Sequence, residues 1–151
     1  MLLLPLKYKR RFSVRTEWRL LIRVATVIVV IRMALRWMSY DRLCSYLDHT
    51  SKPGKNAKRL SFDGRRRVIW AVRSLSKRML GRKPCLTQAL ALQWFLRRRG
   101  DIVQVHIGVR KNEEGTFMAH AWLERKGHVL IGGKRSPLSY VPLKRKEESI
   151  Q

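Results

Sequence analysis

Apolar residues repeat with the period of a helix in two parts of the chain. From residue 86 to residue 96 the repeat is regular, and Gly100 ends it. Residues 65–75 show the same period, with Val68 and Val72 on one face. The pattern therefore predicts a helix just before residue 85 and a second helix that begins close to it.

A different pattern follows Gly100. Residues 102–109 and 116–124 have the β-branched and aromatic content of strands, and the charged, glycine-containing stretch between them predicts a turn. Residues 128–131 form a third predicted strand after a tight turn at 126–127. A helix followed by three antiparallel strands predicts an α+β fold with a β-meander.

The N-terminal third contains an apolar stretch over residues 20–38. Three arginines interrupt it, and its longest uninterrupted apolar run, 24–31, falls short of the roughly 20 residues that a transmembrane helix needs. Arg15, Arg19 and Arg23 lie on one face of the predicted helix. We therefore expect an amphipathic helix packed on the domain or on a partner, with attachment to a lipid surface as the weaker alternative.

A polar segment that contains proline and glycine separates the N-terminal third from the rest of the chain, and charged residues predominate from position 144 onward. Together these features define four parts. We expect an N-terminal amphipathic helical region at 1–48, a linker at 49–62, a compact core at 63–143 and a charged, frayed tail at 144–151.

Cys85 and His120 are the candidate chemical residues. Cys85 stands at or beside the first position of a predicted helix, where unsatisfied N–H groups and the positive end of the helix dipole favour thiolate over thiol and can receive an oxyanion. His120 stands within a predicted strand, and an antiparallel meander could bring that strand across the helix start. The residue types alone fit equally well with a small core cysteine and a structural histidine.

The charge of the chain is extreme for its size. With 34 Lys and Arg against 10 Asp and Glu in 151 residues, the formal net charge is +24, whereas the 45% hydrophobic content suits one folded domain with a modest core. Such a surface attracts an acidic protein, an acidic peptide or an anionic membrane. Any single basic run is more simply a solvated face.

The two cysteines, Cys44 and Cys85, bear on the compartment. A disulfide between them would consume the candidate nucleophile, and the sequence shows no secretory cleavage site, so we expect a reducing cytoplasm. Two cysteines and four scattered histidines lack the spacing of a zinc site. We expect neither a metal nor a cofactor.

Five motifs in order give a more specific indication than any one of them. They resemble the transglutaminase-like cysteine proteases that act as leader peptidases in lasso peptide biosynthesis, over residues 68–143. The motifs are CLTQALALQ at 85–93, LRRRG at 96–100, IGVR at 107–110, AHAWLE at 119–124 and GHVLIGG at 127–133.

The resemblance implies a papain-like or transglutaminase-like fold in which Cys85 attacks the bond that joins leader to core, and His120 serves as general base and acid. It also implies the partners. These are the precursor peptide, a small leader-recognition protein and an ATP-dependent cyclase that closes the macrolactam, and nucleic acid is not among them.

The family is usually described with a Cys-His-Asp triad whose acid lies on the strand after the histidine. If residues 126–127 make a simple two-residue hairpin, Arg125 faces His128 and His120 faces Gly133. No carboxylate stands at that position. The chain therefore departs from the family pattern at its third catalytic group.

The identity of that third group stays open. Glu124 is four residues from His120 on the same strand, so their Cα atoms are roughly 13 Å apart. The orienting group is a backbone carbonyl or a side chain from elsewhere, such as Gln88, Asp63 or Asp101. A neutral acceptor suffices, because orientation and tautomer are the main contributions of the third member.

Other residues near the predicted site have simpler interpretations. Trp122 shares the strand face of His120, and a role as a core aromatic residue is more common than contact with substrate. His128 is expected to flank a turn at the surface, and His106 lies on another strand without an assigned role. The alternative function is a basic module that binds nucleic acid or membrane without catalysis, although the sequence carries no recognised nucleic-acid motif.

Overall fold

The computed structural model describes residues 14–81, 84–111, 113–133 and 140–143, and it has the predicted α+β architecture. Within these described residues, four helices precede four strands. The helices are α1 (Val14–Trp37), α2 (Tyr40–Thr50), α3 (Phe62–Leu80) and α4 (Cys85–Arg97). The strands are β1 (Gln104–Lys111), β2 (Phe117–Arg125), β3 (His128–Ile131) and β4 (Val141–Pro142).

Local signals account for the limits of α3. Ser61 precedes the helix, and its side-chain oxygen accepts a hydrogen bond from the Gly64 N–H at 3.1 Å. Such a cap satisfies one of the amide groups that a helix start leaves without a partner. Gly81 follows the helix with a φ of 62°, a conformation that glycine adopts without steric cost. The segment 65–75, predicted from its period, lies inside this helix.

The sheet is antiparallel, with the strand order β3-β2-β1-β4. Its first three strands form the predicted meander. Gly108 of β1 lies opposite His120 of β2. The short strand β4 pairs with β1 and was not predicted.

The turn between β2 and β3 has the predicted form. Lys126 and Gly127 have φ values of 49° and 74°, as a tight hairpin with two left-handed residues requires. Arg125 lies opposite His128, as the simple two-residue hairpin predicts.

The register changes two residues beyond that turn. A bulge between Leu123 and Glu124 places Leu123 opposite Ile131, one position later than the simple hairpin would give. The prediction that His120 faces Gly133 is therefore wrong, because the count from the turn holds only as far as Glu124.

One hydrophobic core joins all four helices to one face of the sheet. Val24 and Ile28 of α1 and Leu43 of α2 are buried together with the apolar side of α4 and with Ala121 and Leu123 of β2. The two N-terminal helices thus contribute to the core that supports α4. Among the helices of the described residues, none combines the length and the apolar character needed to cross a membrane.

Candidate functional site

Cys85 is the first residue of α4. The first hydrogen bond of the helix runs from the Gln88 N–H to the Pro84 carbonyl oxygen at 2.9 Å, so the amides of residues 85–87 have no acceptor within the helix. The first turn holds no acidic residue. No local negative charge therefore offsets the positive end of the helix dipole, and the helix start can stabilise an anion.

The surroundings of Cys85 keep the helix start in place. Ala89, Leu90 and Leu92 are fully buried one and two turns further along α4, where they form part of the core. The Cys85 thiol is half-buried against that core and is not in a disulfide. The buried residues of α4 thus hold the Cys85 sulfur in a fixed position at the start of the helix.

His120 is half-buried on β2, and its Nε2 atom contacts the carbonyl oxygen of Gly132. A carbonyl oxygen only accepts, so Nε2 is the donor of this hydrogen bond. In the neutral imidazole the lone pair then lies on Nδ1. The contact sets the tautomer that a general base needs.

Four rings form a row beside this contact, which we call the ring row. Its members are His106, Trp122, His120 and Tyr140, and successive ring centroids are 5.6, 6.5 and 5.2 Å apart. Trp122 is 1% exposed, in agreement with a packing role. The Trp122 indole donates a hydrogen bond to Glu124 at 2.7 Å, and the other Glu124 oxygen lies 3.6 Å from His106 Nε2.

The two candidate residues lie on adjoining elements but in different surroundings. Helix α4 packs against β2, and Ala121 and Leu123 of β2 are buried in the core that includes the apolar side of α4. Side chains alternate along a strand, so His120 and Trp122 leave β2 on the opposite face. Cys85 packs against the main core, and His120 lies in the ring row. The structure thus brings the helix and the strand together, while the two side chains occupy different environments.

Two of the side chains considered as a third group, Gln88 and Asp101, have other partners. Gln88 donates to the Ser76 hydroxyl at 2.6 Å, and Asp101 is buried between Arg65 at 3.3 Å and Arg125 at 3.1 Å.

Asp63 belongs to the exposed first turn of α3, and Glu124 bonds the Trp122 indole. Of the groups considered, the backbone carbonyl is the one that contacts His120, and it belongs to Gly132. The only sequence signal for this position is the glycine pair that follows β3. Within the described residues, no group of three or more His, Cys, Asp or Glu side chains could hold a metal ion.

Position 132 requires glycine for two reasons: its backbone has a positive φ, and the neighbouring atoms leave no space for a Cβ atom. Its φ is +103°, and a Cβ atom there would lie 2.5 Å from Trp122 Cβ and 2.7 Å from the Ala121 carbonyl oxygen. Gly108 is crowded in the same way, since its Cβ atom would lie 2.8 Å from Tyr140 Cβ. Two glycines thus make space for the ring row.

Gly132→Ala is therefore expected to lower the free energy of unfolding by about 2–4 kcal/mol, because the backbone is left-handed there and Ala121 and Trp122 backbone atoms cannot move aside independently. Gly127→Ala is the matched control. Gly127 also has a positive φ, +74°, but nothing lies within 4 Å of its added Cβ, so we expect a loss of only about 1 kcal/mol. Urea denaturation followed by circular dichroism measures both. Equal losses would contradict the crowding at Gly132.

An α+β domain whose helix starts at a cysteine and packs on an antiparallel strand with a histidine has the organisation of a transglutaminase-like protein. A family model described as the transglutaminase-like superfamily matches residues 25–145, and the chain belongs to this superfamily. Its members are typically enzymes of the cysteine-protease type. Neither a curated protein nor a solved structure shows significant similarity to the chain.

Proposed function

We propose that the chain is a cysteine endopeptidase that removes the leader from a lasso peptide precursor, with Cys85 as nucleophile and His120 as general base and acid. The observation that carries the proposal is the position of Cys85 as the first residue of α4, where Pro84 provides no side-chain cap, on a helix that packs against the strand of His120. His120 and the core-facing residues of β2 leave opposite faces of the strand, so proton exchange requires the imidazole to reach the sulfur from the ring row, and the rate of Cys85 alkylation tests this requirement. The ordered motifs between Cys85 and Gly133, all within the superfamily match, support the leader peptidase role.

The proposed first half-reaction forms a thioester. His120 takes the proton of the Cys85 thiol, the thiolate attacks the carbonyl carbon of the scissile bond, and the amides at the start of α4 hydrogen-bond the resulting oxyanion. When the tetrahedral intermediate collapses, the C–N bond breaks and protonated His120 gives its proton to the leaving amine. The core peptide departs with a free N-terminus, and the leader stays on the sulfur.

The second half-reaction hydrolyses the thioester. His120 takes a proton from water, the hydroxide attacks the thioester carbon, and the C–S bond breaks as protonated His120 returns that proton to the sulfur. The leader leaves as a carboxylate, and the thiol is restored. In both halves the Gly132 carbonyl holds Nε2 of His120, so Nδ1 carries the exchanged proton.

Under this proposal, partners supply much of the specificity. A short chain with one hydrophobic core benefits from a leader-recognition protein that presents the precursor. The freed N-terminus of the core peptide is then the substrate of an ATP-dependent cyclase. A net charge of +24 favours encounter with acidic proteins and peptides.

The test is cleavage of the precursor by the purified chain, with and without the leader-recognition protein, followed by mass spectrometry. We expect two products, a leader with a new C-terminal carboxylate and a core peptide with a free amine. In isotopically labelled water the label should enter the leader carboxylate, because water opens the thioester. Binding of RNA or anionic vesicles with no cleavage of any precursor would support the basic binding module instead.

A further inference from the structure

A large basic cleft lies away from Cys85. It is bounded by α1, by the loop that precedes α3, by the start of α3 and by the C-terminal end of α4, and its volume is about 1210 Å³. Small-molecule sites typically enclose about 300–1,000 Å³, so this cleft is large enough for a stretch of polypeptide. Along α4, Trp94 in the cleft is nine residues from Cys85, a separation of about 14 Å.

The cleft carries a net positive charge. Its basic side chains come from three elements and the turn after α4, and they are Arg19, Arg23, Lys58, Arg67, Arg98 and Arg99. Glu17 is the single acid among the described residues that line it, and it is largely buried in an ion pair with Arg67. The five other cations form no ion pair with a carboxylate in the described part of the chain. A ligand with several negative charges fits this arrangement.

The cleft is also apolar between its charges. Leu20, Val27, Leu60 and Phe95 line it, and each is partly exposed to solvent. The apolar lining would bind side chains such as leucine, whose transfer from water to an apolar surface is favourable. A purely ionic ligand would leave this surface without a partner.

We propose that the cleft is a docking site for an acidic peptide segment that carries apolar side chains between its carboxylates. Arginine clusters recognise acidic motifs through charge-assisted hydrogen bonds, and the apolar lining supplies the remaining contact. Docking there is separate from the proposed proteolysis. It places a bound peptide about 14 Å or more from the thiol, and about four extended residues span 14 Å.

Two other occupants fit the cleft less well. Single-stranded nucleic acid binds through base stacking on aromatic faces, but the Arg98 guanidinium already lies 4.7 Å from the centroid of the Trp94 ring. The Trp94 indole is also tied to the Thr50 hydroxyl at 3.3 Å. A membrane surface is broad and flat, whereas this site is concave.

The test is fluorescence anisotropy with labelled peptides on the full chain carrying Cys85→Ala, so that binding is measured without cleavage. The probe is a twelve-residue peptide of alternating Glu and Leu. One comparison peptide has Gln in place of Glu, and another has Ser in place of Leu. We expect each comparison peptide to bind at least about tenfold more weakly than the probe, because the Gln peptide lacks the negative charges and the Ser peptide lacks the apolar side chains.

Charge reversal then locates the site. Arg23→Glu with Arg98→Glu should weaken binding of the probe at least about tenfold. The matched control is Arg32→Glu with Arg78→Glu, which makes the same change of net charge at exposed arginines outside the cleft and should cost less than about threefold. If the glutamate variants do not fold, the same pairs replaced by glutamine keep the comparison.

Three results would overturn the proposal. Equal losses in the two variant pairs would show attraction by overall charge alone. Displacement of the probe by a twelve-nucleotide RNA that binds more tightly would assign the cleft to nucleic acid, and displacement by phosphatidylserine vesicles would assign it to a lipid surface. Cleavage of the precursor is measured separately with the parent Cys85 chain, so failure of docking and failure of proteolysis are distinguishable.

Discussion

Cys85→Ala is expected to abolish precursor cleavage and leave the fold intact. Alanine keeps the helix start and the packing of α4 but removes the sulfur that forms the thioester. Loss of a catalytic nucleophile typically lowers the turnover rate by several orders of magnitude, so the variant should be slower by about 10³-fold or more. Mass spectrometry of the precursor over time measures cleavage, and circular dichroism measures folding.

The second cysteine provides the matched control. Cys44 lies in α2, is 4% exposed and belongs to the core. Cys44→Ala should retain cleavage while lowering the free energy of unfolding by about 1 kcal/mol, because it removes a buried sulfur from a packed site. Full cleavage by Cys85→Ala, or loss of cleavage only in Cys44→Ala, would contradict the assigned nucleophile.

His120→Gln is expected to lower the cleavage rate by about 10²–10⁴-fold, because glutamine accepts and donates hydrogen bonds but does not exchange protons near neutral pH. The matched control is His128→Gln, at an exposed position beside the turn that precedes β3, and it should retain the wild-type rate. Stopped assays with the same precursor measure both.

Activity alone does not separate a general base from a group that supports the ring row. The rate of Cys85 alkylation by iodoacetamide does, because an imidazole within reach of a thiol accelerates its reaction with the reagent. We expect Cys85 to be alkylated more slowly in His120→Gln than in the parent chain, and at the parent rate in His128→Gln. Since His120 and the core-facing residues of β2 leave opposite faces of the strand, equal rates in all three proteins would show that the imidazole does not reach the sulfur, and would end the assignment.

Local periodicity was sufficient to predict the elements that carry the candidate residues. The apolar repeat after Cys85 predicts α4, and the β-branched and aromatic runs predict β1, β2 and β3 within two residues at most ends. The ordered motifs also indicated the superfamily that the match over residues 25–145 shows. These features depend on neighbours in the sequence, where the period of the side chains sets the element.

Other features depend on a bulge that no periodic pattern records. The bulge between Leu123 and Glu124 moves the register of β3, and the Gly132 carbonyl contacts His120, whereas the sequence is compatible with several orienting groups. The crowding around Gly108 and Gly132 likewise arises only when Trp122 is packed between them.

The sequence by itself determined the α+β class, the helix that starts at Cys85, the strand of His120 and the strongly basic charge, because each is a local or additive property of the residues. The tertiary structure alone decided which carbonyl holds the imidazole, which face of β2 it occupies and which arginines meet in the cleft. Those arrangements join residues that are far apart in the chain, and they are settled by packing, by strand register and by the route of the loop before α3.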